Sequence, residues 1–255
     1  MVIIREIGDW RPGQLLAANV PSTRAILADV ESAIERAWAS ASSRLGANLF
    51  DGPMCRLERC EASPEALRLW VSPTSYKPFL GTNLTGADVP ASALANPLGL
   101  SAALVTSDGW LLLGRRNASV AYYPNRIHPF AGSLEPAELT NVFGGVLREL
   151  DEELGLSERD VAEMRCLGLI EDAKLRQPEL IFAARATRTR AQIESSLDAA
   201  EHHAAVAIEA KPCAVEAIMR DTLMTPVAVG TLALWGRRAF GDAWFASIRR
   251  PIESP

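Results

Sequence analysis

Basic clusters, long apolar runs and cysteine are all scarce in this chain. Its 26 Lys and Arg against 31 Asp and Glu leave a formal net charge of −5, and no run of Lys or Arg makes the stripe that non-specific nucleic-acid binding requires. Nucleic acid is therefore not an expected partner. No apolar stretch approaches the roughly 18–20 residues of a membrane span, and Met1-Val2-Ile3-Ile4-Arg5-Glu6 lacks the basic-then-apolar pattern of a secretion signal. The sequence reads as a cytoplasmic protein with no membrane partner. Four cysteines (Cys55, Cys60, Cys166, Cys213) are too few for a disulfide framework, and the three histidines do not pair with them at zinc-site spacing. What is plentiful is apolar side chain: 48% of 255 residues are hydrophobic, enough to bury a core as one large domain or two modest ones.

Ser22 and Thr23 precede Ile26, Leu27, Val30, Ile34, Trp38 and Leu45, apolar at helical spacing behind a hydroxyl cap, so a helix is expected over 23–45. Met54–Cys60 and Ala66–Val71 alternate apolar with polar residues as a half-buried hairpin does. The stretch 74–97 is rich in Gly, Pro, Thr, Asn and Ala and reads as loop, with a domain boundary near 96. Beyond it, Leu100–Thr106 and Trp110–Arg116 form a second hairpin around Ser107-Asp108-Gly109. A helix over about 140–154 follows, then strands at Met164–Ile170 and Leu180–Ala184, with helical patches near 190–200, 213–221 and 226–241; the alanine-rich Ala205–Ile208 reads as a short strand or equally as helix. No internal repeat is present.

The chemistry concentrates in the helix before Gly155. Phe143, Val146, Leu147, Leu150 and Leu154 make one apolar stripe, while Glu149, Glu152 and Glu153 lie at i, i+3 and i+4 on another face. Gly155 ends the helix as a left-handed cap, which puts the carboxylates at its carboxyl end. Like charges there repel one another and oppose the helix dipole. A divalent cation relieves both; a solvated acidic face with Arg148 paired to Glu152 is the plainer alternative. Oxygen-only ligands select Mg²⁺ or Mn²⁺ over zinc, and Mg²⁺ commonly completes its shell with water and phosphate.

Gly132-x5-Glu138 followed by Arg148-Glu149-Leu150-Asp151-Glu152-Glu153-Leu154-Gly155-Leu156 resembles the Nudix box, G-x5-E-x7-R-E-U-x-E-E-x-G-U, with nine residues between Glu138 and Arg148 where the pattern has seven. Leu49-Phe50-Asp51-Gly52-Pro53, Thr74–Asn83 and Ala95–Leu100 are similar to segments of the UDP-glucose pyrophosphatase-like Nudix proteins. The resemblance implies an α/β protein, a Nudix α/β/α sandwich with a mixed sheet over 97–255, preceded by a small α+β domain over 1–96. It implies metal ligation by Glu149, Glu152, Glu153 and the Ala131 carbonyl, with Arg148 orienting the cluster and Mg²⁺ as cofactor (Mn²⁺ as substitute). The implied reaction is hydrolysis of a nucleoside diphosphate derivative, UDP-glucose favoured, to a nucleoside monophosphate and a sugar 1-phosphate. ADP-ribose or a dinucleotide is the alternative substrate, and a non-catalytic nucleotide-binding module the alternative class. Glu149, Glu201 and Glu179 are the candidates for the base.

For the substrate, a guanidinium fork suits a diphosphate, and alternation along the strand admits one of Arg115 and Arg116 to the site. Tyr76, Tyr122 and Tyr123, with Lys77 and Asn83, are weaker candidates for base or sugar contacts, and Glu179 reaches toward the site from a strand start. His128, ahead of Pro129, reads as a hydrogen-bonded loop residue. The loop-like stretch Thr74–Asn83 is expected to complete the substrate pocket. A homo-oligomer is compatible with all of this.

Overall fold

The structure, a computed structural model, describes residues 1–46, 49–85, 88–198 and 202–253. An eight-stranded mixed sheet runs in the order β1 (Val2–Trp10), β9 (Val161–Asp172), β10 (Gln177–Ala186), β5 (Gly99–Val105), β6 (Trp110–Arg116) and β11 (His202–Glu209). Two short strands, β7 (Ile127–His128) and β8 (Phe130–Ser133), hang from β6 and β5. The β10–β5 pairing is parallel and its neighbours are antiparallel. Both faces of these central strands are covered, which is why they read as nearly unbroken apolar runs.

On one face α3 (Val142–Leu154) lays Phe143, Val146, Leu150 and Leu154 against Leu100, Leu104, Phe130 and Phe182. On the other, α6 (Pro226–Phe240) packs Val227, Leu232 and Trp235 on Leu111, Leu113, Ile170 and Ile181. The result is the expected α/β/α sandwich. Truncating a fully buried member such as Leu150 to alanine is expected to cost about 2–5 kcal/mol. The shorter helices α4 (Arg190–Glu194), α5 (Pro212–Met219) and α7 (Asp242–Glu253) complete the C-terminal region. No described helix is long and apolar enough to cross a membrane, and all four cysteines are free thiols.

A three-stranded sheet in the order β2 (Leu15–Asn19), β4 (Leu67–Ser75), β3 (Pro53–Ala62) carries the expected hairpin. Three features differ from expectation. Helix α1 spans Ala28–Leu45 and begins five residues later than the Ser-Thr signal suggests; the Thr23 N–H and hydroxyl both donate to Glu58, which ties that segment to β3 instead. The loop-like stretch after 74 is helical: α2 (Tyr76–Phe79) runs into a π-turn over Leu80–Leu84. Gly81 lets that turn lie against α1, where a Cβ would stand 2.6 Å from the Ile34 Cα, and the Asn83 amide is buried, donating to the Leu175 carbonyl at 2.9 Å. Finally, β1 pairs with β9, so the large sheet draws on residues from both sides of position 96.

Candidate active site

Helix α3 starts where the Asn141 side chain accepts the Gly144 N–H, and it stops at Gly155, whose φ of 62° is left-handed. The Gly155 N–H closes on the Asp151 carbonyl, and Leu156 folds back to the Leu150 carbonyl. This fixes the box carboxylates against β8. Arg148 lies at their centre: its Nε donates to Glu138 Oε1 at 2.7 Å, and its Nη1 stands 2.7 Å from Glu149 Oε1 and 3.2 Å from Glu152 Oε2. Burial alone would lower the guanidinium pKa, but the Glu138 bond and the charges of Glu149, Glu138 and Glu152 raise it above its ordinary value. Glu153 turns inward instead, is buried, and accepts the Ala131 N–H at 3.1 Å. His202 Nδ1 lies 3.4 Å from Glu153 Oε1. Burial, with Arg116 and His203 nearby, pulls His202 down to about 4, so this contact is made by a neutral ring at neutral pH.

Glu149 and Glu152 open onto a cleft of about 420 Å³. The Ala131–Ser133 stretch of β8, Arg116 and Tyr122 also line it. Of the two arginines, Arg116 lines the cleft, 5% exposed, and Arg115 does not. The Arg116 guanidinium sits 4.7 Å over the Tyr122 ring, and its buried Nε makes no hydrogen bond among the described residues. Phe50, Met54 and Tyr76 close the cleft from the N-terminal segment.

Other expected site residues lie elsewhere. Tyr123 turns away and donates to Asp172 Oδ2 at 2.7 Å. Glu179 is buried and does not line the cleft, and Ser101 donates to its carboxylate. Lys77 pairs with Glu35, and Asn83 serves the packing of its π-turn. His128 bonds Thr225 Oγ1 at 2.8 Å, as a structural histidine does. Glu201 lies outside the described residues. Phe50 and Glu135 also line the cleft, and His202 was not legible as a site residue because its partner, Glu153, is distant in sequence.

No family model matches the chain. It is 30% identical over 154 residues to the uridine diphosphate glucose pyrophosphatase NUDT22 of Mus musculus, covering 48% of this chain and 50% of that protein. The Homo sapiens NUDT22 is 29% identical over 175 residues, 54% of this chain and 57% of that one. The chain is similar to the UDP-glucose pyrophosphatase-like Nudix proteins. It spans about half the length of these curated relatives. Among solved structures, the MutT protein from Methanosarcina mazei Go1 aligns at TM-score 0.40 and 18% identity over 56% of this chain and 94% of its own.

The donor chemistry of the Nudix-like box fits a hard divalent cation: Glu149, Glu152, Glu153 and the Ala131 carbonyl offer oxygen alone. A cradle supports the fit. A Cβ at Gly132 would lie 1.6 Å from Glu149 Oε1, so the glycine leaves room for that carboxylate against the β8 backbone. As the side chains lie, with Arg148 among the carboxylates, no three Asp, Glu, His or Cys of the described residues form a ready-made cage.

Proposed function

We propose that the protein is a divalent-cation-dependent hydrolase that splits the diphosphate of a nucleoside diphosphate sugar, UDP-glucose first, into a nucleoside monophosphate and a sugar 1-phosphate. One observation carries the reading: the carboxylates of Glu149 and Glu152 line a single cleft together with the buried Arg116. A buried cation is costly unless an anion meets it, and a phosphate oxygen matches the guanidinium fork. Glu149, Glu152, Glu153 and the Ala131 carbonyl would hold Mg²⁺, or Mn²⁺ in its place, which when bound offsets diphosphate charge and lowers the pKa of water.

In this reading water adds to phosphorus as the bridging P–O bond breaks, and the departing phosphate keeps the bond's electron pair. Glu149, a carboxylate that lines the cleft, takes the water proton; Glu179 does not line the cleft and accepts from Ser101. Arg148 holds Glu149 in register, and Arg116 binds the substrate phosphates. The NUDT22 proteins, named for UDP-glucose, support the choice of sugar nucleotide. The test is product release from UDP-glucose, GDP-mannose, ADP-ribose, NADH and diadenosine polyphosphates, with Mg²⁺ and with EDTA. EDTA-sensitive cleavage of UDP-glucose is expected. Cleavage of ADP-ribose or a dinucleotide alone would replace the substrate, and no cleavage despite Mg²⁺ binding would replace the enzyme with a binding module.

A further inference from the structure

We infer that Phe50 is the stacking platform for the substrate's nucleobase, so that the N-terminal segment, rather than the box, sets the requirement for a nucleoside on the diphosphate. This rests on the diphosphate reading above. Phe50 is 75% exposed, yet it lines the same cleft as Arg116 and Glu149. Among the described residues, the other large exposed apolar side chains, Met1, Leu16 and Ile26, lie off that cleft. Its backbone is tied down on the side that matters. Asp51 Oδ1 accepts the Lys77 N–H at 2.7 Å and the Gly52 carbonyl accepts the Tyr76 N–H at 3.0 Å, fastening the turn after Phe50 to the start of α2. The ring rests against Gly52, where a Cβ would stand 3.4 Å from Phe50 Cε1.

A water-facing aromatic face held in place beside a buried cation matches a flat heterocycle joined to a phosphate anion. Stacking of this kind accepts every base, because every base has a π-face. Phe50 therefore separates nucleoside diphosphates from diphosphates that carry no base, and does not separate uracil from adenine.

The experiment measures Kd by calorimetry for UDP, ADP and inorganic pyrophosphate, with Ca²⁺ in place of Mg²⁺, on the wild type, Phe50→Ala and Phe50→Trp. Phe50→Ala is expected to weaken UDP and ADP about tenfold or more, to leave pyrophosphate unchanged, and to be rescued by Phe50→Trp. Unchanged UDP binding in Phe50→Ala overturns the assignment, and so does an equal loss for pyrophosphate, which would report a deformed cleft. A wild type that binds none of the three overturns the underlying diphosphate reading instead.

Discussion

Arg148 Nε donates to Glu138 Oε1 at 2.7 Å across nine intervening residues, two more than the box pattern allows. Glu138 itself ends the 3-10 turn Pro136–Glu138, which is closed by reciprocal bonds between Glu135 and Glu138, and three residues later Asn141 caps α3. The bond is charge-assisted and partly buried, with Arg148 29% and Glu138 13% exposed. Glu138→Ala is expected to cost about 1–2 kcal/mol in urea unfolding and to lower turnover roughly tenfold by loosening the guanidinium that holds Glu149. Glu138→Gln, which keeps an acceptor, is expected to lie between this variant and the wild type in both measurements.

The cradle at Gly132 gives a sharper test. A Cβ there would overlap Glu149 Oε1, which is the far end of a flexible side chain, and Gly132 has no positive φ to strain. Gly132→Ala is thus expected to keep the fold while displacing the carboxylate. A misplacement of about 1 Å can cost on the order of 100-fold in rate. Turnover and Mg²⁺ affinity should fall as far as in Glu149→Gln, with circular dichroism and melting temperature close to wild type. Wild-type Mg²⁺ affinity in Gly132→Ala would separate this cradle from the metal.

What could be read from the sequence was local. Helix α3 was legible to within two residues, because its apolar period, its Asn141 cap and Gly155 agree, and β5, β6, β9 and β10 follow from apolar runs between turn residues. Strand β1 was not, since bulges between Ile4 and Glu6 and between Ile7 and Trp10 break its alternation and its partner lies some 160 residues away. The box helix face was legible for the same local reason. That Glu153 turns inward to Ala131, that Tyr123 leaves the cleft for Asp172, and that Phe50 stands exposed at its rim are all consequences of contacts between distant segments.

Glu179 predicts a pH signature. Burial pushes its carboxyl from 4.5 up to about 7; Asp172 adds to the rise, while the Ser101 hydrogen bond and the Arg116 charge oppose it. The native state therefore holds this proton where the unfolded chain has released it. The stabilising contribution is complete below about 4.5 and is lost as pH rises toward about 7, above which the dependence is flat. Glu179→Gln, which can still accept from Ser101, removes that dependence. Relative to wild type, its melting temperature should be unchanged near pH 4 and higher by several degrees at pH 8. An equal difference at both pH values would place the Glu179 pKa in the ordinary carboxylate range.

Cutting the chain at residue 96 is the natural test of a two-domain division, and strand β1 determines its outcome. Val2 and Ile4 are buried in the layer beneath α6, and β1 hydrogen-bonds along most of β9. Removing residues 1–96 would strip apolar cover from α6 and leave β9 as a long bare edge, which invites pairing with another chain. The fragment 97–255 is expected to elute as aggregate in size-exclusion chromatography. A peptide spanning residues 1–12, added during refolding, is expected to shift part of it to a monomeric, folded fraction. A fragment that is monomeric and cooperatively folded without the peptide would show that β1 is dispensable and that the division at 96 is a true domain boundary.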